Sequence, residues 1–591
     1  MSYFQNFPNT NFYNQDLGWL IKKYKELNGD VKILQQIYDM IKEQIKNITI
    51  EQLQEWLDDG TLENLISNNV MMTKVNKYLT NTEMINDTTL VENIMCITSG
   101  FYTNNDGGGS MFIIKKTKPD TFNLELNNGL FAEMIIKNIT NPRQFGAKGN
   151  NETDDTNAIN NCLKNSKNVV FSKGSYRINV SVGLLPENDS FIDLQNANLV
   201  ALPSDLDYSY VIFINNKRNI TIKNGHIFGE RDIHLTTNGE SGHCVNIRDS
   251  QNITIDNVEV SKAWGDGIFI GGDVNIPTDI SILNCYSHHN RRQGISVIRG
   301  ENILIEGCRI EKISGTPPSD NIDFEPNFDY EFIRNCIVKN CKFDGLVECN
   351  LSKSTVACDI KFENNIGGGY ALITKETNNN CDFYINNCMC SIEKDGNVYS
   401  INIQNESENS NVYLSNVRVV SDYTLSDRPS IERSVMYCAG NVKNVHGDIF
   451  YIKGILNSLI GSSIVTNTTY SNFNVNIINV NGVFNSNVDK KLMGLNTTLK
   501  QNLIKKVSVS SFTFPNYPEN YLINNNVTIN LDDVRVGGIC QIIANGTITL
   551  NKYSSANVTI LQNGKPAILP LTANKVIYLL FNNNNNSITI L

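Results

Sequence analysis

The amino-acid sequence predicts a mostly β protein organised around a parallel β-helix. Short strand-like motifs recur through the middle of the chain with a period of about 23–29 residues. Asparagine is abundant, with 90 among 591 residues, and only 19% of the residues are charged. Repeats of this kind, built from short strands and polar turns, are typical of solenoids in which each repeat forms one coil.

The repeat is a short alternating strand followed by Asn or Gly and then by a small residue. Its copies are IKNG (222–225), ITIDNV (253–258), ISILNC (280–285), ILIEGC (303–308), EFIRNC (331–336), IKFENN (360–365), FYINNC (383–388) and VYLSNV (412–417). Stacked coils place equivalent positions ~4.8 Å apart. We therefore predict a hydrogen-bonded asparagine ladder at the bend and a buried column of Cys285, Cys308, Cys336 and Cys388. A leucine-rich repeat has a similar period, but its leucine framework is absent.

Residues 1–95 are predicted to be helical. Apolar side chains from Leu17 to Ile48 follow steps of three and four residues, which is the spacing of a coiled-coil seam. The alternative is an amphipathic helix packed on its own domain, with a possible break at Asn28-Gly29. Isoleucine at both seam positions near the end of the pattern favours three or four strands over two.

Three further regions follow. Residues 96–140 carry a glycine-rich turn between β-prone runs and predict a small β subdomain. Residues 141–504 carry the β-helix. Residues 505–591 contain Asn-Gly turns between apolar runs and predict an antiparallel, sandwich-like β domain. Because an uncapped β-helix exposes a strand edge, we expect this last domain to act as a cap.

The composition argues against several functions. The chain has 50 basic and 60 acidic residues, a formal charge of −10 and a pI near 5.3, so it offers no basic footprint for nucleic acid. Its longest apolar runs fall far short of the ~20 residues that span a bilayer. The first residues lack the pattern of a secretory signal peptide. We interpret the 14 cysteines as buried thiols of a protein made in a reducing cytoplasm.

A candidate site appears when GDGIFIGG (265–272), QGISVIRG (293–300) and DNIDFEPN (320–327) are aligned so that Asp266, Gln293 and Asp320 coincide. Alternation then stacks isoleucines inward and polar side chains outward. The predicted catalytic residues are Asp266, Asp323 and Glu325, and the predicted substrate-binding residues are His243, His289, Arg291, Arg292, Gln293 and Asp320.

This cluster suits the cleavage of an extended polymer lying along the coils. Asp323 and Glu325 share one strand face, with backbone positions ~6.6–7 Å apart, so spacing leaves retaining and inverting hydrolysis both open. Asp266 is an equally good partner. Structural alternatives are open for each residue: Asp266 and Asp320 could serve in turns, and the arginines could pair with local acids. The carboxylates could also hold Ca²⁺, and we expect no other cofactor.

Several segments carry a family resemblance. GAKGNNETDDTNAINNCL (146–163) followed by VVFSKGSYRI (169–178) resembles the opening of the pectate-lyase-superfamily β-helix, with Lys148-Gly149 in place of the usual Asp-Gly. SGFYTNNDGGGSMFII (99–114) resembles the segment that often precedes it in bacteriophage tailspikes. EWLDDGTLENLI (55–66) is similar to attachment regions of tail appendages in phages of Gram-positive hosts.

The resemblance implies a right-handed β-helix in a homotrimeric virion protein that is attached to the phage tail or baseplate through residues 1–95. It further implies binding and depolymerisation of a host-surface glycan, either capsular polysaccharide or teichoic acid. Three alternatives stay open: a receptor-binding spike without turnover, a lyase that uses Arg291 or Arg292 as base, and a cellular exported pectate-type lyase.

Overall fold

The computed structural model forms two compact units, residues 1–200 and 201–591. The described residues are 35, 55, 75–377, 380–392, 399–421, 434–453, 455–456, 458–462, 469–479, 483–484, 505–507, 511–513, 521–523, 527–531, 538–552, 559–562, 565–566, 571–582 and 587–590. The predicted coiled-coil seam therefore lies outside the described residues.

From residue 75 onward, the described part of the first unit contains two α-helices, one 3₁₀ helix and short strands. In chain order these are β1 (Asn76–Tyr78), α1 (Asn81–Asn86), β2 (Met95–Thr98), β3 (Met111–Lys115), β4 (Asn123–Glu125), β5 (Phe131–Met134), the 3₁₀ helix (Pro142–Phe145), β6 (Asn150–Asp154), α2 (Thr156–Asn165), β7 (Asn168–Val170), β8 (Ser175–Ile178), β9 (Ser190–Asp193) and β10 (Asn198–Ala201).

Strands β1 to β5 form one sheet in the order β1-β2-β3-β5-β4. Alternation along β3 buries Phe112 and Ile114, as expected for a sheet with one face on a core. Helix α2 follows Asp155, whose buried carboxylate accepts hydrogen bonds from the backbone nitrogens of Lys148 (2.7 Å) and Gly149 (2.9 Å). Within the segment that resembles a β-helix opening, Asp155 thus links the start of helix α2 to the backbone at Lys148 and Gly149.

The helices and strands of the second unit, within its described residues, are all strands, which are joined by turns and bends. They are β11 (Tyr208–Asn215), β12 (Arg218–Phe228), β13 (Ser241–Arg248), β14 (Gln251–Ser261), β15 (Ile268–Gly271), β16 (Thr278–Leu283), β17 (Tyr286–His288), β18 (Ile295–Val297), β19 (Gly300–Glu306), β20 (Arg309–Glu311), β21 (Ile322–Phe324), β22 (Ile333–Lys339), β23 (Lys342–Phe343), β24 (Leu346–Asn350), β25 (Cys358–Glu363), β26 (Gly369–Thr374), β27 (Cys381–Asn386), β28 (Met389–Ile392), β29 (Tyr399–Asn405), β30 (Asn411–Ser421), β31 (Ser434–Cys438), β32 (Asn441–Lys453), β33 (Ile455–Leu456), β34 (Ser458–Ser462), β35 (Thr469–Asn479), β36 (Val483–Phe484), β37 (Lys505–Val507), β38 (Ser511–Thr513), β39 (Tyr521–Ile523), β40 (Val527–Leu531), β41 (Gly538–Lys552), β42 (Thr559–Gln562), β43 (Lys565–Pro566), β44 (Leu571–Asn582) and β45 (Ser587–Ile590).

The coils of this unit stack into two long parallel sheets. The first has ten strands in the order β11-β13-β15-β18-β21-β24-β26-β29-β31-β34, and the second runs through β12, β14, β16, β19, β22, β25, β27, β30, β32 and β35. Each coil adds one strand to the first sheet and one or two strands to the second, and it pairs with the next coil in parallel. The fold is a parallel β-helix, which confirms the fold predicted from the repeat.

The core lies between the sheets and is built from equivalent positions of successive coils. Ile268, Ile295 and Ile322 are register partners in the ten-stranded sheet and are fully buried. Each such side chain contributes about 1.5–3 kcal/mol when it leaves water. The predicted alignment of these three coils is therefore confirmed, and the alternate positions point outward.

An asparagine ladder follows the bends, as predicted. Asn387 has a φ of 53°, donates through Nδ2 to Oδ1 of Asn364 at 2.7 Å and accepts from Nδ2 of Asn416 at 2.7 Å. Asparagine tolerates the left-handed conformation better than most residues. The ladder therefore satisfies both the backbone geometry and the side-chain amides.

The predicted column of buried cysteines was wrong for Cys336. Cys336 pairs in register with Ile303, whereas Cys341 follows Cys308 at the bend, where its Sγ lies 3.4 Å from the backbone nitrogen of Cys308. The segment FIRNCIVKNC contains two Asn-Cys pairs, and the prediction took the first of them. The 13 cysteines whose side chains the structure describes are free and buried.

Strands β37 to β45 form a separate nine-stranded sheet. Its pairs are both parallel, as between β39 and β41, and antiparallel, as between β41 and β44, whereas the sequence predicted antiparallel strands. No helix within the described part of the chain is long and apolar enough to cross a membrane.

Candidate active site

The predicted catalytic residues lie on or next to strands of the ten-stranded sheet, whereas His289, Arg291 and Arg292 lie between β17 and β18. Register pairs join Asn246 to Phe269, Phe269 to Ser296, and Ser296 to Asp323. One further coil adds Glu348 as the partner of Asp323. These residues form one column along the coil axis, with neighbours ~4.8 Å apart.

A second column runs beside the first, just before the strands. Backbone hydrogen bonds link Cys244 to Asp266, Gly267 to Gln293, and Gly294 to Asp320. His243 begins this column one coil earlier, as predicted from its spacing to Asp266. The register therefore gathers Asp266, Asp320 and Asp323 with Glu325 and Glu348, a set that we call the acid cluster.

Gln293 connects two members of the acid cluster, Asp320 and Asp323. Its Nε2 donates to Oδ2 of Asp323 at 2.8 Å, and its Oε1 accepts from the backbone nitrogen of Asp320 at 2.7 Å. All three side chains are buried although they lie on the outward side of the sheet. The amide thus fixes the orientation of the Asp323 carboxyl.

Arg292 is a positively charged side chain that interacts with several acids of the site. Its Nη1 lies 3.4 Å from Oδ1 of Asp266 and its Nε 3.5 Å from Oε2 of Glu240. Burial lowers the pKa of Arg292, but the charges of Asp266 and then Asp323 raise it above its ordinary value overall. Burial raises the pKa of Asp266 to about 6, and the guanidinium limits that rise.

Glu348 is a member of the cluster that sequence reasoning missed. Its carboxyl group interacts electrostatically with that of Asp320. Burial, then the charges of Glu348 and Asp323, raise the pKa of Asp320 to about 9, and burial followed by the charge of Glu325 raises the pKa of Glu348. The raised pKa favours the protonated form of the Asp320 carboxyl group. Glu348 follows Asp323 at a spacing within the repeat period, which is the signal that could have found it.

Asp323 has the properties of a proton donor. It is 1% exposed. Burial, and then the charge of Glu325, raise its pKa well above the ordinary value. Glu325 is more accessible and lies two residues further along the same outward face. Asp323 can therefore retain a proton next to a second carboxyl group, that of Glu325.

His243 is neutral and buried. Burial, then the charges of Arg292 and Arg248, lower its pKa to about 3. Its Nδ1 accepts from the backbone nitrogen of Asp266 at 3.3 Å, and its ring stacks on Phe269 at 4.8 Å. The contact of 3.5 Å with Oδ2 of Asp266 is consequently not an ion pair.

Arg291 and His289 have contacts of other kinds. The guanidinium of Arg291 stacks over Trp264 at 3.8 Å and donates to the backbone oxygen of Gly239 at 2.8 Å. His289 contacts His288, with 2.6 Å between the Nδ1 atoms, and its backbone oxygen accepts from Arg231. The structure thus ties both predicted substrate-binding residues to neighbours outside the acid cluster.

No group of three His, Cys, Asp or Glu side chains among the described residues is arranged to hold a metal ion. The acids are instead connected through Gln293, Arg292 and one another. The arrangement can donate a proton from a buried carboxyl and can accept one at a neighbouring carboxylate.

Known proteins share parts of this chain. Residues 210–388 match a family model described as the right-handed β-helix region, which gives the hand of the coil. A stretch of 259 residues is 30% identical to the uncharacterized protein YclG of Bacillus subtilis (strain 168), over 37% of this chain and 44% of that protein. A stretch of 185 residues is 26% identical to the SPbeta prophage-derived uncharacterized protein YorA of the same organism, over 27% of this chain and 32% of that protein. The chain thus spans less than half the length of these curated relatives.

Among solved structures, the tailspike protein gp49 of the Acinetobacter baumannii bacteriophage Fri1, a capsular polysaccharide depolymerase, is similar with a TM-score of 0.42 and 12% identity. The match covers 70% of this chain and 75% of that one.

Proposed function

We propose that this chain is a phage tailspike that binds a host-surface polysaccharide and cleaves it by hydrolysis. The observation that carries the proposal is the pair of Asp323 and Glu325 on one outward strand face, with the pKa of Asp323 raised well above its ordinary value. Glycoside hydrolysis requires two such carboxyl groups, one of which enters the reaction protonated.

In the proposed reaction Asp323 gives its proton to the oxygen of the leaving sugar as the glycosidic C–O bond breaks. Glu325 serves as the second carboxylate, either by taking a proton from the attacking water or by attacking the sugar carbon itself. Both stereochemical courses stay open. Gln293 and Arg292 act as positioning residues, since they hold Asp323 and Asp266 in place.

A lyase reaction has weaker support. It needs a basic side chain that removes a proton beside an acidic sugar. Arg291 is stacked on Trp264 and bonded to the backbone oxygen of Gly239, and Arg292 is paired with Asp266 and Glu240. Both arginines would have to break these contacts before they could act on substrate.

The charge of the site favours a neutral polysaccharide over teichoic acid. Four acids, Asp266, Asp323, Glu240 and Glu325, act on the pKa of Arg292. Two further acids, Asp320 and Glu348, lie in the same cluster, and the charge of Glu348 acts on the pKa of Asp320. A phosphodiester polymer would be repelled by this excess of carboxyl groups. Capsular polysaccharide is therefore the proposed substrate class.

The virion location is also part of the proposal. A relative of prophage origin matches part of the chain, and residues 1–95 carry the coiled-coil pattern expected of a trimeric attachment region. We propose that this region joins the spike to the phage tail, while the β-helix acts outside the host cell.

A second candidate function is a receptor-binding spike without turnover. It is favoured by the extent to which the acids are engaged with partners of their own, since Gln293 binds Asp323 and Arg292 pairs with Asp266. In that case the cluster would stabilise the coils and the polysaccharide would only be held.

Product analysis separates these candidates. The full chain is incubated with purified capsular polysaccharides and with wall teichoic acid from Bacillus strains, and the products are weighed by mass spectrometry. Hydrolysis yields fragments that gain one water, in the presence or absence of EDTA. Fragments with a new double bond absorbing in the near ultraviolet would replace hydrolysis by a lyase reaction. Retention of a polysaccharide without fragments would leave the receptor-binding function.

A further inference from the structure

An aromatic cluster lies at the N-terminal end of the same outward face. Strand β11 presents Tyr208, Tyr210 and Phe213, which we call the aromatic platform. The rings of Tyr210 and Phe213 stack at 4.2 Å with an interplanar angle of 19°, and the Tyr208 ring meets Tyr210 edge-on at 6.0 Å. Tyr208 is 45% exposed, and the other two rings are half-buried.

The platform is in register with the acid cluster. Phe213 pairs with Asn246, which pairs with Phe269, and the same column reaches Asp323 two coils later. Four coil steps separate Phe213 from Asp323, which places them about 19 Å apart along the axis. A polymer that lies along the coils over the acids would therefore pass over the platform several sugar units away.

The chemistry of the platform suits an uncharged sugar ring. Flat aromatic faces pack against the apolar face of a pyranose, and water leaves both surfaces. Arg248, which lies beside Phe269, is paired with Asp273 at 2.7 Å, so its charge is already matched.

Asn246 adds a second, independent indication. It is fully buried between Phe213 and Phe269, and its Nδ2 donates to the hydroxyl of Tyr208 at 3.0 Å, which orients that ring. Its Oδ1 has no hydrogen-bond partner among the residues that the structure describes. A buried acceptor without a partner is costly, and a sugar hydroxyl could supply the missing donor after a small shift of the Tyr208 ring.

We propose that the aromatic platform is a remote subsite that binds a neutral pyranose of the same polysaccharide chain whose bond is cleaved at Asp323. This inference rests on the proposed function and deepens it. The spike then cleaves within long chains, because only a chain that reaches both places gains the binding of the platform.

The test compares three variants of the full chain: Tyr208→Ala, Phe213→Ala and Tyr413→Ala. Tyr413 is the matched control, since it is also an exposed, stacked tyrosine, at 36% exposure, but lies on β30 in the other sheet. Binding of capsular polysaccharide is measured in an Asp323→Asn background, and turnover is measured on the same polysaccharide and on trisaccharide fragments of it.

We expect Tyr208→Ala and Phe213→Ala to weaken polysaccharide binding about three- to tenfold, to raise KM on the long polymer with kcat unchanged, and to leave trisaccharide kinetics unaltered. Tyr413→Ala should change none of these. Unchanged polysaccharide binding in both platform variants, with turnover intact, would overturn the subsite and leave the proposed function standing. A change of oligomeric state in these variants would instead make the platform an interface between copies of the chain. If the wild type neither binds nor cleaves any polysaccharide tested, the proposed function and the subsite both fail.

Discussion

Gln293 and Asp323 are hydrogen-bonded across adjacent coils, with 2.8 Å between Nε2 of the amide and Oδ2 of the carboxyl group. Both side chains are buried. The amide oxygen of Gln293 accepts a hydrogen bond from the backbone nitrogen of Asp320 at 2.7 Å. This second bond fixes the Gln293 side chain, which in turn fixes the Asp323 carboxyl group that we propose as the proton donor.

Replacement of Gln293 by methionine should therefore slow catalysis without abolishing binding. Methionine has a similar length but makes neither hydrogen bond, so the Asp323 carboxyl is free to rotate. We expect kcat to fall about 10- to 100-fold, KM to stay unchanged and the pH profile to shift. Gln404→Met, on β29 of the same sheet, is the matched control. An unchanged kcat and pH profile in Gln293→Met would remove Gln293 from the positioning role.

The stability of the protein should fall as the pH rises through the neutral range. Burial, with the charges of Glu348 and Asp323, raises the pKa of Asp320 to about 9, whereas an aspartate in the unfolded chain has a pKa of about 3.9. Between these values the folded chain holds a proton that the unfolded chain has released, so each increase in pH favours unfolding. Asp320→Asn removes this proton.

We expect the Tm of the wild type to fall more steeply between pH 5 and pH 9 than the Tm of Asp320→Asn. Asp205→Asn, at an exposed position, should follow the wild type. The curves are measured by thermal unfolding in matched buffers. Parallel curves for wild type and Asp320→Asn would mean that Asp320 ionises normally.

The asparagine ladder should contribute measurably to stability. Asn387 holds two ladder hydrogen bonds and a left-handed backbone. Alanine loses the hydrogen bonds and strains the backbone, at a cost of about 2–5 kcal/mol in the free energy of unfolding. Glycine loses only the hydrogen bonds, at about 1–3 kcal/mol. Chemical denaturation measures both, and equal losses for Asn387→Ala and Asn387→Gly would show that the left-handed conformation carries no penalty there.

The buried cysteines should be unreactive in the native protein. Burial raises the pKa of both Cys162 and Cys244 to about 12, and the thiolate is the reactive form. The hydrogen bond with Cys381 lowers the pKa of Cys358, but that thiol is buried like the others. Because burial excludes the reagent, a thiol reagent at pH 8 should leave the 13 cysteines whose side chains are described unmodified in the folded chain and should label them all in guanidinium. Rapid labelling of any of them under native conditions, located by mass spectrometry, would contradict their placement in the core.

The sequence predicted the fold and the register of the site because a β-helix repeats its geometry at every coil. The equal spacing of Asp266, Gln293 and Asp320 was enough to place them in one column. The same logic failed for Cys336, because FIRNCIVKNC offers two equivalent alignments and only the packing of Ile303 selects between them.

Other contacts depended on side-chain direction, which spacing does not fix. Arg291 lies one coil after Trp264, yet nothing in that spacing shows that the guanidinium stacks on the ring. Glu348 was missed because the alignment of the site ended with DNIDFEPN and did not extend to the next coil, which contains LVECN. The platform residues of β11 precede the first recognised repeat of the site and carry no titratable group of the kind sought there.

The most direct test of the account is the turnover of Asp323→Asn and Glu325→Gln on a polysaccharide that the wild type cleaves. Reducing ends are counted over time, with Glu363→Gln in the other sheet as the matched control and with Tm values recorded for every variant. We predict that kcat falls at least about 100-fold in Asp323→Asn and in Glu325→Gln, with Tm and polysaccharide binding retained, and that Glu363→Gln behaves as wild type. Full turnover in a folded Asp323→Asn variant would contradict the assignment of this face as the catalytic site.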